Sequence, residues 1–388
     1  MEFFLSILPY ILLLGSITLF ITFSMKSAIV LSDIHGKKIK IYTDTSLLLI
    51  FIVYITYIVF TVFRVIDVNM GGTDAIVYKT RFLSYGNLDL FNSLKLQSNE
   101  YGYGLIIWLL RKISDDYKIV LLVIHSLIFI LIIKFIKEIT WNKFTPIAIF
   151  VLSFFLLDSF NTIRNTLAIC MGLYVYILLH KKQYISAVIV TLIASSIHIA
   201  SLILFVIIFT IILFDKRDKL SITKLIIFVV LLMVGLFVFL YLVNRYVSLG
   251  KYDVYNNNSG LALGTYMAII FTFVIAIKNY NKLVFNNSFN RTLITILPIG
   301  LICIILQLQF AILYRMTLYF LPVIISLIPD LLAESTYLNR KDFKDFIFNI
   351  GSFVVLMVYV FGRVINFFNY GILDVGIPYL NELLINVL

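Results

Sequence analysis

A long uncharged run in the middle of the chain limits how the polypeptide can cross a membrane. From Ser186 to Phe214 there are 29 residues without a formal charge, and as one helix they would be roughly 43 Å long against a hydrocarbon core of about 30 Å. One straight crossing would also put Lys216 on the opposite face from Lys181 and Lys182, although short cytoplasmic loops collect Lys and Arg. We therefore predict a re-entrant hairpin over residues 184–214.

The tip of the predicted hairpin is polar. It falls near Ser195, Ser196, His198 and Ser201, and non-helical backbone at that depth is tolerated only where it is buried in protein or lines a wet cavity. Histidine titrates close to neutral pH, so His198 is a candidate general acid or base. The alternative for the same histidine is a hydrogen-bonded packing role.

The composition predicts a polytopic membrane protein. Hydrophobic residues make up 62% and charged residues 13% of the chain, and the mean hydropathy is +1.04, whereas charged residues alone form about a quarter of a soluble domain. We expect a single all-α membrane domain, residues 1–388, whose first apolar segment is a retained helix and not a signal peptide. Apolar runs predict ten crossings, at 3–23, 46–63, 118–136, 144–157, 160–180, 223–243, 261–277, 292–310, 312–332 and 346–363.

The net charge of +11 is explained by membrane topology. The loops predicted to lie inside hold nearly all of the excess Lys and Arg, as the positive-inside rule requires, and both termini are then extracytoplasmic. This asymmetry predicts membrane lipid as a partner. The positive charge is therefore explained without a nucleic-acid partner. Cys170 and Cys303 fall in separate predicted spans, which indicates neither a disulfide framework nor redox chemistry.

Most polar side chains lie in one predicted extracytoplasmic loop, residues 64–117. Its amphipathic stretch Tyr101–Ile113 predicts a short interfacial helix. Asp74 and Glu100 are its candidate functional carboxylates, although each can also be a solvated loop residue. The inner loops carry no glycine-rich phosphate-binding sequence, and the four histidines have no zinc-ligand spacing. We therefore expect no cofactor, no metal site and no direct use of ATP.

Two arginines are predicted at the outer ends of helices. Asp158 or Ser159 is suited to cap a helix that carries Arg164 in its first turn. A helix N-terminus with an adjacent guanidinium suits phosphate or diphosphate, whereas the alternative is an arginine that snorkels to the lipid headgroups. Arg315 repeats the pattern in a segment otherwise free of charge. Together the two arginines favour the anion site.

The order of short motifs along the chain resembles the EpsG/Wzy-type polymerase family of bacterial exopolysaccharide, O-antigen and capsule synthesis. The matching residues span nearly the whole sequence: Phe63 and Arg64, Gly72 with Asp74, Tyr78 and Phe82, Glu100 with Gly102 and Tyr103, Arg164 with Leu167 and Ala168, Lys181 and Lys182 before Ser195, Ser196 and His198, then Arg315 with Leu318 and Tyr319, and Pro378 with Tyr379.

This resemblance implies transfer of a growing glycan, held on undecaprenyl diphosphate, onto the next lipid-linked repeat unit at the outer face of the cytoplasmic membrane. It also implies a flippase and a chain-length regulator of the same pathway as partners. Cations would stabilise the leaving diphosphate, and Glu100, Asp74 and His198 are the alternatives for the base. The expected substrate-binding side chains are Arg64, Tyr78, Tyr103, Arg164 and Arg315.

Two other functions fit parts of the pattern. A GT-C-type glycosyltransferase that uses a polyprenyl-phosphate sugar, or a glycan ligase, also carries acids in its first large outer loop, as Asp67 and Asp74 are placed here. A flippase of lipid-linked oligosaccharides would carry charges along several helices that line a path through the bilayer. The charges of this chain cluster at one face. We therefore rank polymerase first, glycosyltransferase or glycan ligase second, and transporter third.

Overall fold

The computed structural model describes residues 2–27, 29–32, 38–41, 43–67, 73–86, 88–95, 100–215, 263–307 and 313–336. Their helices are α1 Glu2–Ser27, α2 Asp44–Val62, α3 Thr73–Ser84, α4 Leu90–Lys95, α5 Tyr101–Ile113, α6 Lys118–Glu138, α7 Thr145–Asp158, α8 Ile163–His180, α9 Tyr184–Ile197, α10 Ile203–Asp215, α11 Leu263–Lys278, α12 Tyr280–Asn286, α13 Phe289–Gln307, α14 Leu313–Thr317 and α15 Leu321–Thr336. A 3₁₀ turn, Ile199–Leu202, precedes α10.

The described chain forms two compact units. Of the described residues, the first unit holds those up to Cys170 together with Ser196–Ile199, and the second holds Met171–Ser195 and those from Ala200 to Thr336. Helices α8 and α9 therefore each contribute to both units. The expectation of one membrane domain stays a prediction.

In the first unit, the long helices α1, α2, α6 and α7 pack against one another, and α5 packs against α3, α4 and α6. The core is rich in aromatic side chains: the buried rings of Tyr57 and Phe129 stack with their centroids 5.9 Å apart. The outer face of α2 exposes large apolar side chains, including Leu48 and Phe51. An exposed apolar face of this size is typical of a helix that contacts lipid.

Helix α13 lies at the centre of the second unit, where it contacts α10, α11, α12, α14 and α15. A close approach occurs at Gly300 of α13, because a Cβ there would lie 2.8 Å from the ring of Phe320. From the unit's part of α8, the Tyr176 hydroxyl donates a hydrogen bond of 3.1 Å to the carbonyl of Tyr319. These contacts hold the turn before α15 against two helices.

The predicted helical architecture is confirmed, whereas the number of crossings stays a prediction. Eight of the ten predicted spans overlap described helices, and 223–243 and 346–363 lie outside the described residues. Residues 318–320 form a turn that interrupts the predicted span 312–332. Among the described residues, five segments are long and apolar enough to cross a membrane: Leu8–Lys26, Asp44–Val62, Lys118–Glu138, Ile163–His180 and Arg315–Ala333.

One short strand pair departs from the all-α expectation. Strands β1 Ile29–Ser32 and β2 Lys38–Ile41 pair antiparallel, with Ile29 opposite Ile41, in the loop after α1. The helix predicted over Tyr101–Ile113 is present as α5, and its location at the membrane interface stays a prediction. Its exposed large side chains recur every four residues, at Tyr101, Leu105, Leu109 and Ile113, which is the pattern of one apolar helix face.

The segment predicted as a hairpin is broken at His198, which lies between the end of α9 and the 3₁₀ turn. Lys182, just before α9, and Phe214, near the end of α10, line one cavity in the second unit. The chain therefore returns at the end of α10 to the place where α9 began, as a re-entrant path requires, although α9 and α10 pack little against each other. Entry and exit on one membrane face stay a prediction.

Candidate active site

Glu100 contacts both Arg164 and His198 in the first unit. Its carboxylate Oε1 accepts a hydrogen bond of 2.5 Å from His198 Nδ1, and its Oε2 forms an ion pair with Arg164 Nη1. Glu100 immediately precedes α5 but makes no side-chain capping bond to it. The positive end of the α5 dipole nevertheless favours the ionised carboxylate.

Two tyrosines surround the Arg164 guanidinium. Its Nε donates a hydrogen bond of 3.3 Å to the hydroxyl of Tyr78, and its central carbon lies 4.9 Å from the ring centroid of Tyr78 and 5.4 Å from that of Tyr103. The two rings meet edge to face with their centroids 5.9 Å apart. An aromatic cage of this kind attracts a cation and holds its orientation.

Burial keeps both phenols neutral. Burial raises the pKa of Tyr78 above its usual value, although the neighbouring Arg164 opposes this effect. Burial likewise raises the pKa of Tyr103 well above its usual value, and nearby Tyr117 adds to the increase. Neither hydroxyl therefore loses its proton near neutral pH. The Tyr103 hydroxyl is buried and has no hydrogen-bond partner among the described residues.

Two of the three guanidinium nitrogens of Arg164 have hydrogen-bond partners among the described residues. Nη1 is paired with Glu100 and Nε with Tyr78, whereas Nη2 has no hydrogen-bond partner among the residues that the structure describes. The Arg164 side chain is 21% exposed to solvent, whereas the His198 side chain is 4% exposed. A guanidinium held at two nitrogens can therefore present its third to an incoming anion.

A glycine brings Glu100 close to His198. Gly102 lies in the first turn of α5, and a Cβ there would collide with the Ser196 hydroxyl and lie 2.9 Å from the Ser196 carbonyl carbon. Because no side chain intervenes, the start of α5 packs directly on the end of α9, where Ser196 precedes His198 by two residues. The close approach of these two backbones thus places the carboxylate beside the imidazole.

The turn between α7 and α8 positions Arg164. Asn161 in this turn is buried, and its Oδ1 accepts a hydrogen bond of 2.7 Å from the backbone N–H of Asp74. This bond consequently ties the first turn of α3 to the start of α8, and Tyr78 lies one turn further along α3. The Asp74 side chain itself is exposed.

The predicted cap of α8 is wrong. Asp158 is the last residue of α7, and the Ser159 hydroxyl lies in a buried network, 2.9 Å from the Tyr57 hydroxyl and 3.1 Å from His125 Nδ1. The Tyr57 hydroxyl oxygen and His125 Nδ1 are 2.8 Å apart. The polar side chain of Ser159 thus anchors the turn to α2 and α6, because a buried polar group needs a hydrogen-bond partner.

Arg64 contacts the turn between α7 and α8. Arg64 is 3% exposed, donates a hydrogen bond of 2.6 Å to the Phe160 carbonyl and lies 4.6 Å from the Phe160 ring centroid. These two contacts hold the Arg64 side chain against the turn between α7 and α8. Arg315 is half-buried in α14 of the second unit. Its contribution to substrate binding stays a prediction.

Sequence reasoning missed Gly102 as a contact point, Asn161 as a tether and the Tyr57–His125–Ser159 network. A signal existed only for the network. His125 is a lone polar residue in the apolar run of α6, and such residues commonly face a protein interior. Gly102 stands within the E-x-G-Y motif but gives no indication of what it touches.

The described residues hold no group of three or more His, Cys, Asp or Glu side chains suited to a metal ion. The arrangement can instead carry out acid–base chemistry next to a cation. A carboxylate that accepts from one imidazole nitrogen fixes the tautomer and leaves the other nitrogen to take a proton. Arg164 adds a donor for developing negative charge at the same place.

The fold is that of a helical membrane protein, and its first unit gathers an acid–base pair, an arginine and two buried tyrosines. The chain belongs to the EpsG family, which it matches over residues 47–374, a region that includes all of these side chains. This family is associated with polysaccharide polymerisation, so the chain is a membrane protein of polysaccharide biosynthesis. Neither the curated proteins nor the solved structures give a match.

Proposed function

We propose that this protein is a glycosyltransferase that joins undecaprenyl-diphosphate-linked oligosaccharide repeat units at the outer face of the cytoplasmic membrane. Membership of the EpsG family supports the reaction class. The observation that carries the proposal is the contact of Glu100 with both His198 and Arg164. This contact supports the proposal because an imidazole is suited to accept a proton and a guanidinium to bind a phosphate, and both touch the same carboxylate.

We assign the base to His198 and an orienting role to Glu100. Both Glu100 oxygens have partners, Oε1 in His198 and Oε2 in Arg164, and the bond to Nδ1 directs the proton-accepting lone pair to His198 Nε2. The acceptor sugar hydroxyl gives its proton to Nε2 as its oxygen bonds to the donor's anomeric carbon. The imidazolium that forms is stabilised by the Glu100 carboxylate.

Arg164 acts on the leaving group. As the new glycosidic bond forms, the bond from the anomeric carbon to the diphosphate oxygen breaks and the electron pair leaves with the diphosphate. Nη2 of Arg164, which has no partner among the described residues, is the donor that we expect to neutralise this charge. Such a clamp needs no divalent metal, and Arg315 is proposed as the second cation.

The tyrosines and Asp74 are proposed to bind sugar. Tyr103 has a buried hydroxyl without a hydrogen-bond partner among the described residues, and a sugar hydroxyl can supply one. The exposed Asp74 carboxylate lies one helical turn before Tyr78 on α3. Its position at the surface suits a hydrogen bond to a sugar better than proton transfer at the Glu100–His198 pair.

Deletion followed by analysis of lipid-linked glycans tests the reaction. Cells without the protein should accumulate single repeat units on the lipid at the outer face, and the wild-type gene should restore polymer. Glu100→Gln should leave polymer synthesis reduced on the order of 10²–10⁴-fold. The matched control is Asp115→Asn, the same carboxylate-to-amide change at a 91% exposed side chain, which should restore polymer fully.

A second variant separates the two candidate bases. In His198→Asn the amide nitrogen can still donate to Glu100 but no imidazole accepts a proton. We expect this variant to be inactive at normal protein levels, whereas activity close to wild type would assign the base to Glu100. Normal polymer from both Glu100→Gln and His198→Asn would remove the proposed site.

A further inference from the structure

A cavity of about 180 Å³ lies in the second unit at the end of α8. Three cationic or ionisable side chains line it, His180, Lys182 and Arg291, and three hydroxyls, those of Ser288, Thr292 and Thr295, lie beside them. The described lining residues include no carboxylate. The lining shares no residue with the Glu100 cluster, which lies in the first unit.

Lys182 occupies a backbone position that favours glycine. Its φ is +58°, and the hydrogen bonds from Lys182 N to Leu179 O (3.0 Å) and from Gln183 N to Leu178 O (2.9 Å) form a Schellman motif at the end of α8. A lysine in the left-handed region is strained relative to a glycine there. A strained residue whose side chain lines a cavity suggests that the side chain is retained for binding.

The lining selects a phosphate group. Arg291 provides a planar set of donors, of which Nη2 reaches the Phe214 carbonyl at 3.4 Å, and Lys182 provides a point charge. A water takes up about 30 Å³ in the liquid, so 180 Å³ has room for the five heavy atoms of a phosphate. Leu179, Ile211 and Phe214 form the apolar part of the lining, which suits a phosphate bonded to an aliphatic group.

We propose that this cavity binds a phosphate ester, with the headgroup of an anionic phospholipid as the ester that the lining fits best. Basic pockets between membrane helices on the cytoplasmic side are suited to such headgroups. The charge distribution of the sequence predicts this end of α8 to be cytoplasmic. The proposal is independent of the reaction assigned to Glu100 and His198.

Lipid retention by the purified full-length protein tests this site. Native mass spectrometry after titration with phosphatidylglycerol or phosphatidylcholine should show preferential retention of phosphatidylglycerol. Lys182→Gly and Arg291→Gln should each weaken that retention about tenfold, whereas Lys181→Gln, a neighbouring lysine outside the cavity lining, should leave it unchanged. Without added lipid, Lys182→Gly should raise the melting temperature by on the order of 1–2 °C, because the strained backbone is relieved.

Competition with inorganic phosphate distinguishes the two sources of the ligand. If millimolar phosphate does not displace phosphatidylglycerol, the ligand is the lipid. If phosphate displaces it and stabilises wild type but not Lys182→Gly, the site still binds phosphate, and its natural ligand is a soluble phosphate ester. Equal retention of both lipids, or identical binding by wild type, Lys182→Gly and Arg291→Gln, would overturn the proposal.

Discussion

Replacement of Gly102 by alanine tests whether the close approach of α5 and α9 sets the geometry of the candidate site. The new Cβ would collide with the Ser196 hydroxyl and would lie 2.8 Å from the Ser196 Cβ and 2.9 Å from its carbonyl carbon. Carbon atoms in contact prefer about 3.5–4.0 Å. The two helix ends must therefore separate by roughly 0.7–1 Å.

That displacement acts directly on the hydrogen bond between Glu100 and His198, which is 2.5 Å long. A misplacement of about 1 Å can lower a rate on the order of 10²-fold, and overpacking of this kind typically costs about 1–3 kcal/mol of stability. We expect Gly102→Ala to be produced at near-normal levels while polymer formation falls about 10²-fold. The assay is polymer yield per molecule of inserted protein in deletion cells.

Two further variants make this expectation refutable. Gly15→Ala is the matched control, because no atom lies within 4 Å of the Cβ it would add, and alanine is the better helix former. Ser196→Gly in the Gly102→Ala background removes two of the three close contacts and should restore part of the activity, a non-additivity expected of residues in contact. Wild-type activity of Gly102→Ala would refute the proposed role of this packing.

Three other predictions concern the cations, the path of the chain and the metal. Arg164→Lys and Arg315→Lys should each lose polymerisation on the order of 10²-fold while the protein still inserts, because an ammonium lacks the planar fork; normal polymer yield and length in both would make these arginines topological anchors. Single cysteines at Lys181 and Lys216 should both be protected from an impermeant reagent in intact cells, and labelling of only one would exclude the hairpin. Purified protein should polymerise lipid-linked repeat units in excess EDTA, whereas a loss restored by Mg²⁺ or Mn²⁺ would favour the GT-C-type reading.

Local features of the site could be predicted from sequence. The amphipathic period of Tyr101–Ile113 is contained in thirteen consecutive residues, and Arg164 lies in the first turn of α8 as its surroundings predict. The break at His198 follows from an apolar run that is too long for one crossing. Each of these features is decided by neighbours in the chain, so periodicity, length and charge are sufficient to find it.

The convergence of the site could not be predicted, because it depends on long-range packing. Glu100 is 64 residues from Arg164 and 98 from His198. The approach also depends on Gly102, whose partner Ser196 is likewise far away in the sequence. The prediction of the α8 cap was wrong for a related reason. Ser159 has the chemistry of a cap, but the hydroxyl of Tyr57 and the imidazole of His125 compete for it inside the fold.

The double contact of Glu100 also bears on how the site responds to substrate. With Glu100 ionised, Arg164 is neutralised by the carboxylate before any ligand binds. In the proposed reaction an incoming diphosphate would compete for the same guanidinium, and Glu100 would then hold His198 as its remaining partner of the two. We infer that occupation of the arginine by the donor would thus link the orientation of the acceptor's base to the presence of the leaving group.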